Sequence, residues 1–312
     1  MNPLAPFLDN SGFAMLDGGI STELERHGAD LDDPLWTSRV LLDAPGLIDA
    51  MHRAFLENGA DVIATTTYQA SVSGFEQAGL DASAARRIMR EAVAMAVGAR
   101  NAFWSLPANR HGRLRPLVAV SLGPYGACLH DGSEYRGDYG VPAEALSEFH
   151  AGRLRLFDTI GADVLACETI PSLVEAQVLA ELLAECATPA WVSFSCTDGA
   201  HISDGTPVEA AAALFRAHPT VLAVGFNCTP PQYAVELVRR FCESAPGKAV
   251  IAYPNSGETW NAEQGVWIGT SKPIDYARAA SEWVAAGARV VGGCCRTAPN
   301  HIVAIRKAIT PS

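Results

Sequence analysis

The chain has few cations and no long apolar segment, and both scarcities exclude classes of protein. Its 312 residues hold 23 lysines and arginines against 34 aspartates and glutamates, for a formal net charge of −11. Nucleic acids and anionic lipids are bound by clustered cations, which this sequence does not offer. No apolar stretch approaches the roughly 20 residues that cross a bilayer, and the N-terminus lacks the pattern of a secretory leader. We therefore expect a soluble, cytoplasmic protein with small-molecule partners and no nucleic-acid or membrane partner.

Lysine is scarce and cysteine is not. The only lysines are Lys248, Lys272 and Lys307, and none follows a predicted strand, which gives little support to a Schiff-base mechanism. Eight cysteines in a chain without a recognisable leader are more typical of thiols or metal ligands than of a disulfide framework.

Short apolar runs alternate along the whole chain with longer stretches of helical period. Near-continuous apolar strands joined through helices predict a parallel sheet covered on both faces. Gly-Ala pairs at residues 59–60, 161–162 and 287–288 are typical helix stops before a strand. We predict one α/β domain over residues 1–312, a (β/α)₈ TIM barrel, with an open doubly wound sheet as the alternative. The eight predicted strands are residues 13–16, 61–65, 117–121, 163–167, 190–194, 221–226, 249–253 and 289–292.

The active site of such a barrel lies at the carboxyl ends of the strands. Two adjacent cysteines, Cys294 and Cys295, follow the last strand, and Cys228 follows the sixth. Adjacent cysteines rarely form a good disulfide with each other, but both can reach one soft cation. The barrel would bring Cys228 to the same edge, so we predict a Zn²⁺ site with three thiolate ligands and an open fourth position. Water or a residue of the segment 67–69 would complete it.

Other interpretations of these strand ends remain open. Gly292, Gly293 and Arg296 could hold a phosphate instead, although thiolates would repel it. Glu168, after the fourth strand, could pair with an arginine or serve the site, and Asp17 could cap the next helix. The thiols could also form a structural zinc site or a dithiol redox pair rather than a catalytic centre.

Several longer motifs together resemble the homocysteine S-methyltransferase family, and within it the S-methylmethionine-dependent enzymes. The resemblance runs almost from end to end, and its most specific part is the Asn-Cys pair together with the GGCCR segment. The motifs are residues 16–24 (LDGGISTEL), 67–71 (TYQAS), 121–127 (SLGPYGA), 131–139 (DGSEYRGDY), 167–169 (CET), 227–228 (NC), 253–258 (YPNSGE) and 292–296 (GGCCR).

The resemblance implies zinc bound by Cys228, Cys294 and Cys295 on a (β/α)₈ barrel, and methyl transfer from a sulfonium to L-homocysteine, forming methionine. It further implies that Glu168 holds the amino group of homocysteine and that the turn at Asp17 and Gly18 receives its carboxylate. We place Asn227, beside Cys228, among the substrate-binding residues.

The resemblance bears on the methyl donor as well. Trp36 matches a tryptophan that contacts the cationic donor in relatives that use betaine. The segment 131–139 looks different from that of the betaine enzymes and favours a sulfonium, S-methylmethionine ahead of S-adenosylmethionine. A betaine-dependent enzyme is the alternative, and the sequence does not indicate an oligomeric state.

Overall fold

Eight parallel strands form the centre of the molecule. A computed structural model describes residues 2–31, 37–261, 266–268 and 271–310. A separate antiparallel hairpin, β8 with β9, lies outside the eight-stranded sheet. The strands are β1 Ala14–Met15, β2 Val62–Ala64, β3 Leu117–Leu122, β4 Val164–Ile170, β5 Ala190–Phe194, β6 Val221–Asn227, β7 Ala249–Tyr253, β8 Thr259–Asn261, β9 Val266–Ile268 and β10 Ala288–Val291.

The sheet closes on itself. Its strand order is β1-β10-β7-β6-β5-β4-β3-β2, and every neighbouring pair is parallel. The two outer strands meet through a parallel bridge between Leu16 and Val62, and the Asp17 amide donates to the Val62 carbonyl at 3.0 Å. The predicted (β/α)₈ barrel is thereby confirmed, and the alternative of an open doubly wound sheet is wrong.

Helices cover the outside of the barrel between successive strands. Two of the predicted glycine stops are confirmed, because Gly59 and Gly287 have positive φ directly at the ends of α4 and α11. The predicted stop at Gly161 is wrong, because α7 already ends at Phe157 and Gly161 lies in the turn beyond it. Four short helices, α1, α2, α3 and α5, were not predicted. The helices are α1 Ala5–Ser11, α2 Ile20–Arg26, α3 Thr37–Asp43, α4 Pro45–Glu57, α5 Val72–Gln77, α6 Ala82–Ser105, α7 Ala143–Phe157, α8 Leu173–Leu183, α9 Val208–Ala213, α10 Ala234–Ser244, α11 Pro273–Ala286 and α12 Pro299–Ile309.

Two apolar cores lie on opposite faces of the barrel wall. On β3, Val118 and Val120 pack outward against the helices, whereas Leu117 and Ala119 pack into the barrel interior. The same alternation runs along the other long strands because successive side chains of a strand point to opposite faces. Alanines, branched aliphatic side chains and a few aromatic ones fill the interior, and Trp191 is the largest of them. Every second residue of a strand therefore points into the barrel, and the last of these residues lie at the open carboxyl end of the strands, which we call the mouth.

Within the described part of the chain, no helix is both long enough and apolar enough to cross a membrane.

Candidate metal and substrate site

Three thiols converge where β6 and β10 end. The Cys228 sulfur lies 2.7 Å from that of Cys294 and 3.7 Å from that of Cys295. All three sulfurs lie within 4.8 Å of one another, and no other such group of potential metal ligands occurs among the described residues. Three convergent thiols are the soft donor set that zinc and similar cations prefer, so the residues fit a metal ion.

The backbone at these strand ends is unusual in ways that aim the thiols. Cys228 has φ +47° and Arg296 has φ +64°, both in the left-handed region that non-glycine residues seldom enter. Gly292 is required for close approach, because a Cβ there would lie 2.5 Å from the Leu16 Cβ. The ends of β1 and β10 therefore pack closely against each other, two residues before Cys294.

The three thiols lie close enough to form S–H···S hydrogen bonds with one another. Hydrogen bonds with its two neighbours raise the pKa of Cys228 and, in the opposite sense, lower the pKa of Cys295, with burial opposing that second shift. By itself the cluster thus favours one thiolate held by neighbouring S–H groups. Three thiolates side by side in a buried position require a cation to offset their repulsion.

Beneath the thiols, a layer of polar side chains fills the top of the barrel interior. These residues continue the inward-facing positions of their strands, two residues beyond an apolar neighbour. Ser193 Oγ lies 2.6 Å from the Tyr253 hydroxyl oxygen and 2.9 Å from Asn227 Oδ1. The sequence interpretation missed Ser121, Ser193 and Tyr253 as members of the site, although extending the period of two along each strand would have found them.

Glu168 is the carboxylate of this layer. Ser121 Oγ donates to one of its oxygens, and the Tyr253 hydroxyl donates to the other at 2.9 Å. Its partners are hydroxyl groups, so the alternative that Glu168 merely pairs with an arginine is wrong. Burial raises the pKa of Glu168 to about 7, with a further contribution from Cys294. A carboxylate held in one orientation at a cavity floor is suited to receive an ammonium group.

Asp17 forms a hydrogen bond across the junction of β1 and β2, where the barrel closes. Its side chain is 6% exposed, and its Oδ2 accepts the Ala64 amide at 2.7 Å, across from β1 to the end of β2. Burial raises its pKa well above the usual value. The alternative that Asp17 caps the next helix is wrong, because Gly19 occupies the cap of α2 and no side chain bonds there. Asp17 and Gly18 both line the cavity, and their contact with a substrate carboxylate stays a prediction.

Asn227 links two strand ends to the thiols. Its Oδ1 accepts the Thr169 amide at 2.7 Å, and its Nδ2 donates to Thr169 Oγ1 at 2.7 Å. The same Nδ2 lies 3.9 Å from the Cys294 sulfur. Asn227 therefore positions Thr169 and Cys294, and its predicted contact with substrate stays a prediction.

Two further sequence interpretations concern the rim. Arg296 is engaged by carboxylates, with Nε 2.7 Å from Glu258 and Nη1 3.8 Å from Glu25, so it is not available as the phosphate ligand considered above. In the segment 67–69, Thr67 Oγ1 donates to the Ser121 carbonyl, whereas Gln69 lines the cavity. Trp36, the predicted donor contact, lies outside the described residues.

The thiols, Glu168 and Asp17 all open onto one cavity of about 1120 Å³. The long loop, residues 125–140, forms one wall with Glu134 and Tyr135. Two amino-acid-sized molecules fit into such a volume.

A closed barrel with convergent thiols at its carboxyl edge defines a barrel enzyme suited to bind a metal. A model of the homocysteine S-methyltransferase family matches residues 14–309. The homocysteine S-methyltransferase YbgG of Bacillus subtilis is 45% identical over 303 residues, which cover 97% of this chain and 96% of that protein. A selenocysteine Se-methyltransferase of Brassica oleracea is 41% identical over 310 residues, 96% of this chain and 89% of that protein.

Solved structures agree with this likeness. The metallated form of the homocysteine methyltransferase MmuM from Escherichia coli superposes with a TM-score of 0.87 at 39% identity, covering 98% of this chain and 99% of that one. Its oxidized form gives a TM-score of 0.88 with the same identity and coverage. The chain therefore belongs to the homocysteine S-methyltransferase family, and it is a methyltransferase.

Proposed function

We propose that this enzyme transfers a methyl group from a sulfonium donor to the thiol of L-homocysteine, forming methionine, with Zn²⁺ held by Cys228, Cys294 and Cys295. S-methylmethionine is the preferred donor, ahead of S-adenosylmethionine. The observation that carries the proposal is the convergence of the three sulfurs within 4.8 Å in the wall of the cavity. The names of the relatives support homocysteine as the acceptor, and the metallated form of MmuM supports a metal.

The reaction needs a thiolate, and a free thiol with a pKa near 8.5 is mostly protonated at neutral pH. Bound zinc would supply that ionisation by lowering the pKa of the homocysteine thiol. The chain's own residues orient the acceptor. Glu168, fixed by Ser121 and Tyr253, faces the cavity where the homocysteine ammonium group would lie. Positioning of this kind supplies much of the rate enhancement in a two-substrate reaction.

Methyl transfer breaks the donor's S–CH₃ bond and forms the bond to the homocysteine sulfur, and both sulfurs become neutral thioethers. Charge is lost on the way to the transition state, so a site that excludes water favours the reaction. Tyr68 and Tyr135 line the cavity and offer aromatic surface to a sulfonium. These aromatic side chains would bind a cationic donor while excluding water from the site.

The test is methionine formation by zinc-loaded protein with S-methylmethionine, S-adenosylmethionine or betaine. We expect turnover with a sulfonium and none with betaine. Cys295→Ser should lose stoichiometric zinc and reduce turnover by at least about 100-fold, because the site keeps two thiolates only. Cys186→Ser is the matched control, since Cys186 follows α8 on the outside of the barrel and bonds to the Leu182 carbonyl.

Each rival function predicts a different result. Turnover with betaine and not with S-methylmethionine would establish the betaine-dependent alternative. Zinc binding without methyl transfer from any donor would support a structural metal site, and a reversible dithiol transition without metal would support a redox pair.

A further inference from the structure

Glu134 has a fixed position on the long loop. It lies in a 3₁₀ turn, Ser133–Tyr135, whose first amide donates to Asp131 Oδ1 at 2.9 Å. The Glu134 carbonyl accepts a hydrogen bond from Ser195 Oγ at 3.2 Å, which ties the turn to the end of β5. The backbone is thus held on both sides, and the side chain projects into the cavity wall.

The Glu134 carboxylate has one oxygen in an unusual environment. Its Oε2 is fully buried and has no hydrogen-bond partner among the described residues. The arginine of the same loop, Arg136, is turned to the exposed side, with Nε 3.2 Å from Asp138 and Nη1 3.3 Å from the Asp131 carbonyl. A buried, unpartnered carboxylate oxygen is costly, so a fold retains one mainly where a ligand or an ordered water supplies the missing donor.

The other carboxylates around the cavity already have partners. Glu168 and Asp17 accept hydrogen bonds from the barrel, and Glu25 and Glu258 pair with Arg296. Arg296 is the one lysine or arginine among the lining residues that the structure describes. Glu134 is therefore the lining carboxylate best suited to bind a cation, because it offers both a negative charge and an oxygen without a partner among the described residues.

The chemistry of the missing partner can be narrowed. A sulfonium offsets negative charge, but it has no N–H or O–H group to donate to Oε2. A primary ammonium group does both. Its charge also stays unchanged through methyl transfer, so pairing it to a carboxylate does not oppose the loss of charge at sulfur. The quaternary nitrogen of betaine has no N–H group either.

We infer that Glu134 receives the α-ammonium group of the methyl donor and thereby selects amino-acid sulfoniums over betaine. This inference rests on the proposed function. Two amino acids in one cavity need two ammonium sites, and the structure offers Glu168 on the floor and Glu134 on the loop. The contact binds the donor equally in the ground state and the transition state, so Glu134 governs donor affinity and leaves the chemical step unchanged.

The inference is tested by calorimetric binding to zinc-loaded protein, using S-methylmethionine and its des-amino analogue. The wild type should bind S-methylmethionine about 30-fold or more tightly than the analogue, as expected for a desolvated charge pair. Glu134→Gln should remove that preference and leave affinity for the analogue and for homocysteine unchanged. Asp138→Asn is the matched control, because it removes one charge from the exposed side of the same loop.

Stability and kinetics add readouts that a purely structural role would not give. Glu134→Gln should not lower the thermal midpoint, since it replaces an unsatisfied buried carboxylate, and at saturating donor its kcat should equal that of the wild type.

Equal affinity of wild type and Glu134→Gln for S-methylmethionine would overturn the inference, as would weakened homocysteine binding. An equal loss for donor and analogue would also overturn it, because Glu134 would then face the sulfonium. Failure of the wild type to bind S-methylmethionine would overturn the inference as well. The proposed function stands or falls separately, on methionine formation by the wild-type enzyme.

Discussion

At the scale of single residues, His52 on α4 is a fully buried imidazole. It is 0% exposed, and neither ring nitrogen has a hydrogen-bond partner among the described residues. Burial lowers its pKa to about 4 from the usual value of 6.5. His52 is therefore protonated below about pH 6.5 in the unfolded chain, but only below about pH 4 in the folded protein.

This difference sets the sign of the pH dependence. Above pH 6.5 the His52 contribution is constant, and between pH 6.5 and 4 it removes about 3 kcal/mol of stability. About 2 kcal/mol of this loss is present at pH 5. His52→Leu should abolish it, which urea unfolding at pH 7.5 and 5, both with chelator, would measure. The exposed His111→Leu is the control. An unchanged acid dependence in His52→Leu would contradict the prediction.

Residue types predicted part of the site, and strand geometry explains what was missed. Cys294 and Cys295 stood out because adjacent thiols are chemically unusual. Ser121, Ser193 and Tyr253 are ordinary residues by type, and they enter the site only because they continue the inward-facing positions of their strands. Their hydrogen bonds to Glu168 and Asn227 depend on strand register, which composition does not specify.

At the scale of elements, one buried carboxylate fastens both ends of the long loop. Glu175 on α8 is 0% exposed, and its Oε1 accepts the Tyr125 amide at 2.6 Å and contacts His150 Nε2 at 2.7 Å. Its Oε2 accepts the Tyr139 hydroxyl at 2.9 Å. The loop that carries Glu134 is therefore held in place from beneath by α7 and α8.

Removing the Glu175 charge should loosen that loop. Glu175→Gln weakens up to three charge-assisted hydrogen bonds, and we expect it to cost about 1–3 kcal/mol of stability. Donor affinity should fall while zinc stoichiometry stays at one, because the thiols lie on other strands. Urea unfolding and calorimetry would measure both quantities, with the exposed Glu181→Gln of the same helix as control. Unchanged stability and donor affinity would show that the loop is held by other contacts.

The helices that the sequence did not predict are all short, although α9, with six residues, was predicted. Helices α1, α2, α3 and α5 have six or seven residues each, too few to display a helical period of apolar residues clearly. Helices of this length are stabilised by tertiary packing, as when Leu24 of α2 is buried in the outer core. The long strands and helices were predicted well because each carries several repeats of its pattern.

At the scale of the whole molecule, the thiol cluster lies at one end of the hydrophobic cores, and Cys294 packs against the interior one. The thiols stand at the mouth, whereas the apolar residues fill the barrel and the layer beneath the helices. We therefore expect a chelator to abolish activity while the protein keeps its far-UV circular dichroism and its cooperative unfolding, and added zinc to restore turnover. Loss of cooperative unfolding on chelation would instead indicate a structural zinc site.

The strand order gives the thiols a further property. Cys228 and Cys294 follow strands β6 and β10, which flank β7 in the sheet. During synthesis, a nascent chain that has released residues up to β7 presents one of the three ligands, and the others emerge only with the last strand. All three thiols can thus come together only after β10 and the residues that follow it have emerged. A chain terminated before β10 keeps one of the three thiols and cannot form the cluster.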